Sequence, residues 1–211
     1  MQSISVFACG LLLAAALEAQ PPAVKESIGL PPRISAAEYS AHEPAGDITI
    51  AAEFLGHSLP TGSGILQTED YVAVETAVFG KASARANVTP DNFTLRVNGK
   101  KAIPAQPFEL VASSIKDPEW APPETKSKTG GVTAGGGGGD GGNEPPPPPR
   151  IPPEVRRANE VKVRKTVMPE GDRVLPIAGL LFFRYGGQEK GIHEVELIYS
   201  GPNGKAKLVL Q

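Results

Sequence analysis

Six basic side chains, Arg150, Arg156, Arg157, Lys162, Arg164 and Lys165, crowd a segment that holds only two acids, Glu154 and Glu160. Guanidinium and ammonium groups at this density suit charge recognition rather than bond making. They would engage an anionic partner such as a membrane surface, a polysaccharide or another envelope protein. Residues 20–95 have the opposite balance, with four basic and nine acidic side chains. A second reading therefore stands beside the first: the basic segment is a solvated flank that docks on the chain's own acidic half. The formal net charge of the whole chain is −2, so no global field favours nucleic acid or an anionic membrane.

Other residue types capable of chemistry are sparse and scattered. His42, His57 and His193 are the only histidines. A zinc or copper site would need two or three of them to converge with a carboxylate, and their spacing does not require it. There is no Gly-x-Ser-x-Gly elbow and no telling pair of carboxylates. The only cysteine, Cys9, lies in the N-terminal apolar run, so its removal with that run would exclude thiol chemistry and disulfides. The glycine run 130–142 lacks the Lys-Ser/Thr that a phosphate loop needs; Asn143-Glu144-Pro145 follows it, and an acid there repels phosphate. No catalytic, metal or cofactor residue can be named, and a non-enzyme is expected. Tyr71, Trp120 and Tyr185 offer a conceivable aromatic platform for a sugar, against ordinary strand packing. Pro145-x-x-Pro148-x-Arg150 has the form of a ligand for proline-reading domains, but a stiff polyproline spacer explains it as well. Asn87-Val88-Thr89 and Asn92-Phe93-Thr94 are sequons that matter only in a eukaryotic host.

The elements that must position these residues fall on either side of a Gly/Pro tract, GGVTAGGGGGDGGNEPPPPP at 130–149. Residues 1–19 read as an export signal: Val6–Leu17 is apolar apart from Gly10, too short for the roughly 20 residues that span a bilayer, with small residues following. Its n-region lacks Lys and Arg. Residues 20–44 form an extended Pro-rich leader. Strands are expected at Asp47–Leu55 and Tyr71–Phe79, the latter with Val72, Val74 and Val78 on one face and Glu75 on the other. His57–Gly64 reads as a loop. Thr89-Pro90-Asp91-Asn92 reads as a capped turn leading into Phe93, Leu95 and Val97. Asn98-Gly99 is a strong hairpin signal, with Lys100–Ile103 as the return strand and Pro107–Ser113 as a further short strand.

Residues 116–153 should hold little regular structure and form a disordered insertion. Within the basic segment 154–173, Val155, Ala158 and Val161 lie at helical spacing, so a short helix is expected over 154–165. Regular structure should resume near Val174. Leu175–Tyr185, apolar on both faces, suits a central strand. Val195, Leu197 and Tyr199, then the Gly201–Gly204 turn, then Ala206, Leu208 and Leu210, close the chain. Three strands after the tract would leave one sheet face bare. They are expected to complete the fold begun over 45–115, giving one all-β domain, an antiparallel β-sandwich interrupted by a long loop. Each doubling of loop length costs only about 0.6 kcal/mol of closure entropy.

The motifs Glu69-Asp70-Tyr71-Val72-Ala73-Val74, Asp91-Asn92-Phe93-Thr94-Leu95, Gly179-Leu180-Leu181-Phe182 and the hairpin Val195–Leu210 resemble, in this order, an immunoglobulin-like domain of unknown function in secreted or lipid-anchored bacterial proteins. The resemblance covers about 47–112 and 174–210 and rests on packing motifs. It implies an exported, periplasmic or extracellular sandwich without catalytic residues. Here residues 113–173 separate strands that follow one another more closely in that family.

Overall fold

The computed structural model describes residues 29–121 and 151–211. The segment read as an export signal, Cys9, the start of the leader, the Gly/Pro tract and Arg150 lie outside the described residues. Among the described residues thirteen strands and two α-helices follow in order. They are β1 (Ala41–Ala45), β2 (Ile48–Gly56), β3 (Ser58–Thr61), β4 (Gly64–Thr68), β5 (Tyr71–Gly80), β6 (Arg85–Val88), β7 (Phe93–Val97), β8 (Ile103–Gln106), α1 (Phe108–Val111), β9 (Ile115–Lys116), α2 (Pro153–Arg164), β10 (Gly171–Val174), β11 (Ile177–Arg184), β12 (Val195–Gly201) and β13 (Gly204–Val209).

Eight strands form one antiparallel sheet in the order β1-β2-β5-β11-β8-β7-β12-β13. Of the strands after the Gly/Pro tract, β11 is laid between β5 and β8, and β12 and β13 extend the sheet beyond β7. β11 pairs with β5 from Ile177↔Val78 to Arg184↔Tyr71 and with β8 at Phe183↔Ala105. β12 pairs with β7 from Val195↔Val97 to Tyr199↔Phe93. Period-two alternation decides which side chains meet. Ile48 and Ile50 of β2, Val72, Val74 and Val78 of β5, Leu181 and Phe183 of β11, Leu95 of β7, Leu197 of β12 and Leu208 of β13 share one buried core. The sheet curls so far that its edges approach: a Cβ on Gly204, at the start of β13, would lie 3.1 Å from the Ala45 carbonyl carbon of β1.

The outer face of β5 and β11 is covered too. Tyr71 and Ala73 of β5 and Leu180 and Phe182 of β11 pack under a cap made by Leu59, Leu66, Phe108, Val111, Ile115 and Val163. At the other end Ala51, Ala77 and Ala178 lie under Tyr39, with Leu30 and Ala36 beside them. The expectation of a central β11 buried on both faces is met. Glu75 is correspondingly buried rather than solvated.

Local signals set several turns as expected. Asn92 Oδ1 accepts from the Thr89 hydroxyl at 2.9 Å and from the Thr89 amide at 3.3 Å, closing the capped turn. Gly201↔Gly204 closes the last hairpin. Four expectations need correction, besides that for Lys100–Ile103. The 57–64 loop is the hairpin β3–β4, because Pro60 sits in an edge strand, where a missing N–H costs nothing, and Leu59 and Leu66 need burial. Pro107–Ser113 is helical, since Phe108 and Val111 reach the same cap one turn apart. The 20–44 leader is ordered over its described part: Leu30 bridges to Ala178, and Ala41–Ala45 is an edge strand. Regular structure resumes well before Val174, because α2 is followed directly by a crossing over β11 and by β10, which pairs with β6.

At Asn98-Gly99 both residues take positive φ, 51° and 66°, as the hairpin signal requires. The ladder nonetheless restarts only at Leu95↔Ile103, leaving Lys100 and Lys101 exposed. The Asn98 side chain is committed elsewhere. Its Oδ1 accepts from the His193 and Glu194 amides at 2.8 and 3.1 Å, and its Nδ2 donates to Gly191 O at 2.6 Å.

A protease site inserted within 122–150 gives a direct test of this strand order. The two fragments are expected to co-elute under native conditions and to part only in denaturant, because β11 holds ladders to both β5 and β8. Separation without denaturant would show that those ladders are not formed.

Candidate functional site

The basic segment is a helix, as its spacing predicts. Pro153 opens α2 in the first position, where an absent N–H is harmless. Asn159 and Val163, one turn apart, are its buried residues, and Val163 joins Leu59, Phe108, Ile115 and Leu180 under the cap. The opposite side therefore faces solvent, with Arg157, Val161 and Arg164 exposed at helical spacing.

The predicted contact residues end up in different circumstances. Arg156 pairs with Glu160 one turn on, at 3.7 Å. Arg164 meets Glu109 of α1 at 3.2 Å, and its guanidinium lies 4.6 Å from the Phe108 ring centre. Glu109 is held below the ordinary carboxylate range, first by its own backbone amide and then by Arg164. Both members of that pair are more than half exposed, so the pair itself is worth only a few tenths of a kcal/mol. Lys162 is half-buried, and Lys165 is exposed while its carbonyl accepts from the Gly29 amide at 2.8 Å. Arg157 has no ion pair among the described residues. The helix docks through Val163 on a cap that Leu59 of the stretch 20–95 helps to form, and Arg157 and Arg164 lie on its outer side.

The aromatic platform does not form. Tyr71 is buried in the cap on the outer face of the sheet, whereas Tyr185 packs against the inner core. Trp120 sits apart in a turn closed by its amide on Asp117 O. The three histidines lie on three separate elements: His42 on β1, His57 between β2 and β3, and His193 just before β12. Among the described residues no three His, Cys, Asp or Glu side chains are placed to hold a metal ion.

Two arrangements escaped the sequence. The first is an ion cluster on the outer face. Arg33 Nη2 reaches Glu53 at 2.6 Å and Glu75 at 2.9 Å, its Nη1 donates to Glu38 O at 2.6 Å, and its guanidinium stacks 4.3 Å over the Tyr39 ring. Burial works to lower the Arg33 pKa, but the two carboxylates outweigh it and the net movement is upward. The second is an open cleft of about 400 Å³ at one end of the sheet, lined by His57, Gln67, Thr68, Glu69, Gln188 and Glu189 among others. His57 Nδ1 lies 2.7 Å from Tyr71 O and Nε2 lies 3.1 Å from Gly187 O. Glu69 is ion-paired with Lys116. The converging charges of β12 are closed as well: Glu196 pairs with Lys207 and with Arg96, and the hydrogen bond from Lys207 leads in holding its carboxyl below the ordinary range.

Among the described residues no helix is long and apolar enough to cross a membrane. Compared with protein-family models, with curated proteins and with solved structures, the chain finds no match.

Proposed function

We propose that the protein is an exported, non-catalytic binding or structural module of the bacterial envelope, whose contact element for an anionic surface is the outer side of α2. The observation that carries this reading is the way α2 is seated. Its apolar residue Val163 is spent on the cap, and Arg157 and Arg164 project from the side that remains. The apolar N-terminal run supports export. The charged groups that do converge, around Arg33 and around Glu196, are closed ion pairs with no nucleophile among them. Within the same reading the domain is of the immunoglobulin-like sandwich kind. The half-sheets β1-β2-β5-β11 and β8-β7-β12-β13 contribute facing residues to one core, which favours this architecture.

The test is co-sedimentation with vesicles of anionic and of zwitterionic lipid. Wild-type protein is expected to bind anionic vesicles in a salt-sensitive way. The triple variant Arg156→Glu, Arg157→Glu, Arg164→Glu should bind at least a hundredfold more weakly, since each cationic side chain near such a surface contributes about 1 kcal/mol. None of the three is buried, so the fold should persist. Equal binding by the variant would remove α2 as the contact element.

A further inference from the structure

We propose that His57 is a protonation-dependent latch that fastens the 186–189 loop over the cleft. His57 follows the bulge at Phe54/Gly56 that ends β2, and its ring lies 6.4 Å from the Tyr185 ring. Both ring nitrogens face backbone carbonyl oxygens, Nδ1 that of Tyr71 and Nε2 that of Gly187. A carbonyl oxygen only accepts, so both nitrogens must donate, and only the imidazolium carries two N–H groups. The neutral ring keeps one. The Nδ1 contact is shorter, 2.7 against 3.1 Å, and partly buried, whereas the Nε2 contact is exposed. The remaining proton therefore stays on Nδ1. The Nε2 lone pair then opposes the Gly187 oxygen, and the loop is released from the β2–β3 corner.

The charged and titratable groups around the ring come from two sides. The β4–β5 turn brings Glu69, already engaged by Lys116, and Asp70, whose carbonyl accepts from the Tyr185 amide at 2.8 Å. The 185–190 segment brings Tyr185, Glu189 and Lys190. Glu189 rests on Gly56, where an added Cβ would lie 2.5 Å from its Oε1. Gly186, Gly187, Gln188 and Glu189 form one wall of the cleft, so releasing Gly187 changes its shape. Histidine is the side chain whose unperturbed charge change falls between about pH 5 and 8, so the test covers that range.

The test is an NMR titration of the full chain over that range, following the His57 ring nitrogens and the backbone amides of 186–189. Two results are expected. On neutralisation the ring keeps its proton on Nδ1, the minor tautomer of free histidine. The loop amides move with the same midpoint as the ring, and in His57→Gln that movement is lost. A neutral ring protonated on Nε2, loop amides that ignore the imidazole midpoint, or a loop transition that persists in His57→Gln would each overturn the latch. The wild-type tautomer and shared midpoint decide the matter even if the variant does not fold.

Discussion

Gly179→Ala is expected to lower the stability of the fold by about 3 kcal/mol or more. Gly179 lies in the middle of β11, opposite Thr76 of β5. On leaving α2 the chain crosses this strand: the Leu180 amide donates to Thr166 O at 2.7 Å, and Met168 donates to Leu180 O at 3.0 Å. Val167 and Leu180 form a parallel bridge there. A Cβ on Gly179 would stand 2.4 Å from Met168 Cα, 2.5 Å from its amide nitrogen and 2.8 Å from the Val167 carbonyl carbon. All three are backbone atoms, and Met168 is buried, so no side-chain rotation relieves the clash. The crossing would have to lift away and break both hydrogen bonds. Urea denaturation measures the cost as a fall in midpoint at constant slope. Gly186→Ala is the control: a Cβ there meets nothing within 4 Å, and the change should be close to neutral. A Gly179→Ala midpoint equal to wild type would mean that the crossing does not press on β11.

Arg33→Met is expected to cost about 2 kcal/mol, between the scale of an exposed ion pair and that of a fully buried one. Glu53 and Glu75 are register partners on β2 and β5, so two like charges sit directly opposite each other. Arg33 alone bridges them, and the Glu75 side chain is only 12% exposed. Methionine preserves much of the packing on Tyr39 while deleting the charge. The double variant Arg33→Met, Glu75→Gln removes one of the opposed carboxylates as well and should recover most of the loss. A double-mutant cycle from thermal or urea unfolding reads that coupling. The pH behaviour follows from the upward movement of the Arg33 pKa. A base whose pKa is raised on folding contributes fully below its unfolded value and is lost only as pH rises through the folded one. For an arginine this lies beyond the alkaline end of ordinary titrations, so the wild-type contribution should not decline there. Additive single effects in the cycle would show that Arg33 and Glu75 are not coupled.

Both predictions concern features that no local pattern announced. β5, β11, β12, the last hairpin, the Thr89 turn and α2 were legible, because alternation, turn residues and helical spacing act over a few neighbours. Lys100–Ile103 was misjudged because Asn98 spends its side chain on residues 191–194, nearly a hundred positions away. The β3–β4 hairpin was missed because Pro60 looks like a breaker until the cap that buries Leu59 exists, and Pro107–Ser113 was read as a strand because the cap that buries Phe108 and Val111 one turn apart is not local. The Arg33 cluster depends on a segment that read as a mere leader, brought across the sheet by Leu30 on Ala178.

The basic segment divides the same way. Its charge and its helical form were written in consecutive residues. Which side of that helix is free was not, since Val163 and Asn159 become its inner face only when Leu59, Phe108 and Ile115 arrive from before the Gly/Pro tract. By itself the sequence determined an antiparallel β protein with one short helix, because strand period and turn chemistry are local. Only the tertiary structure decided that β11 lies between β5 and β8, which elements cover its two faces, and that His57 meets Gly187. Those outcomes depend on pairings between residues far apart in the chain, whose energies appear only once the sheet has formed.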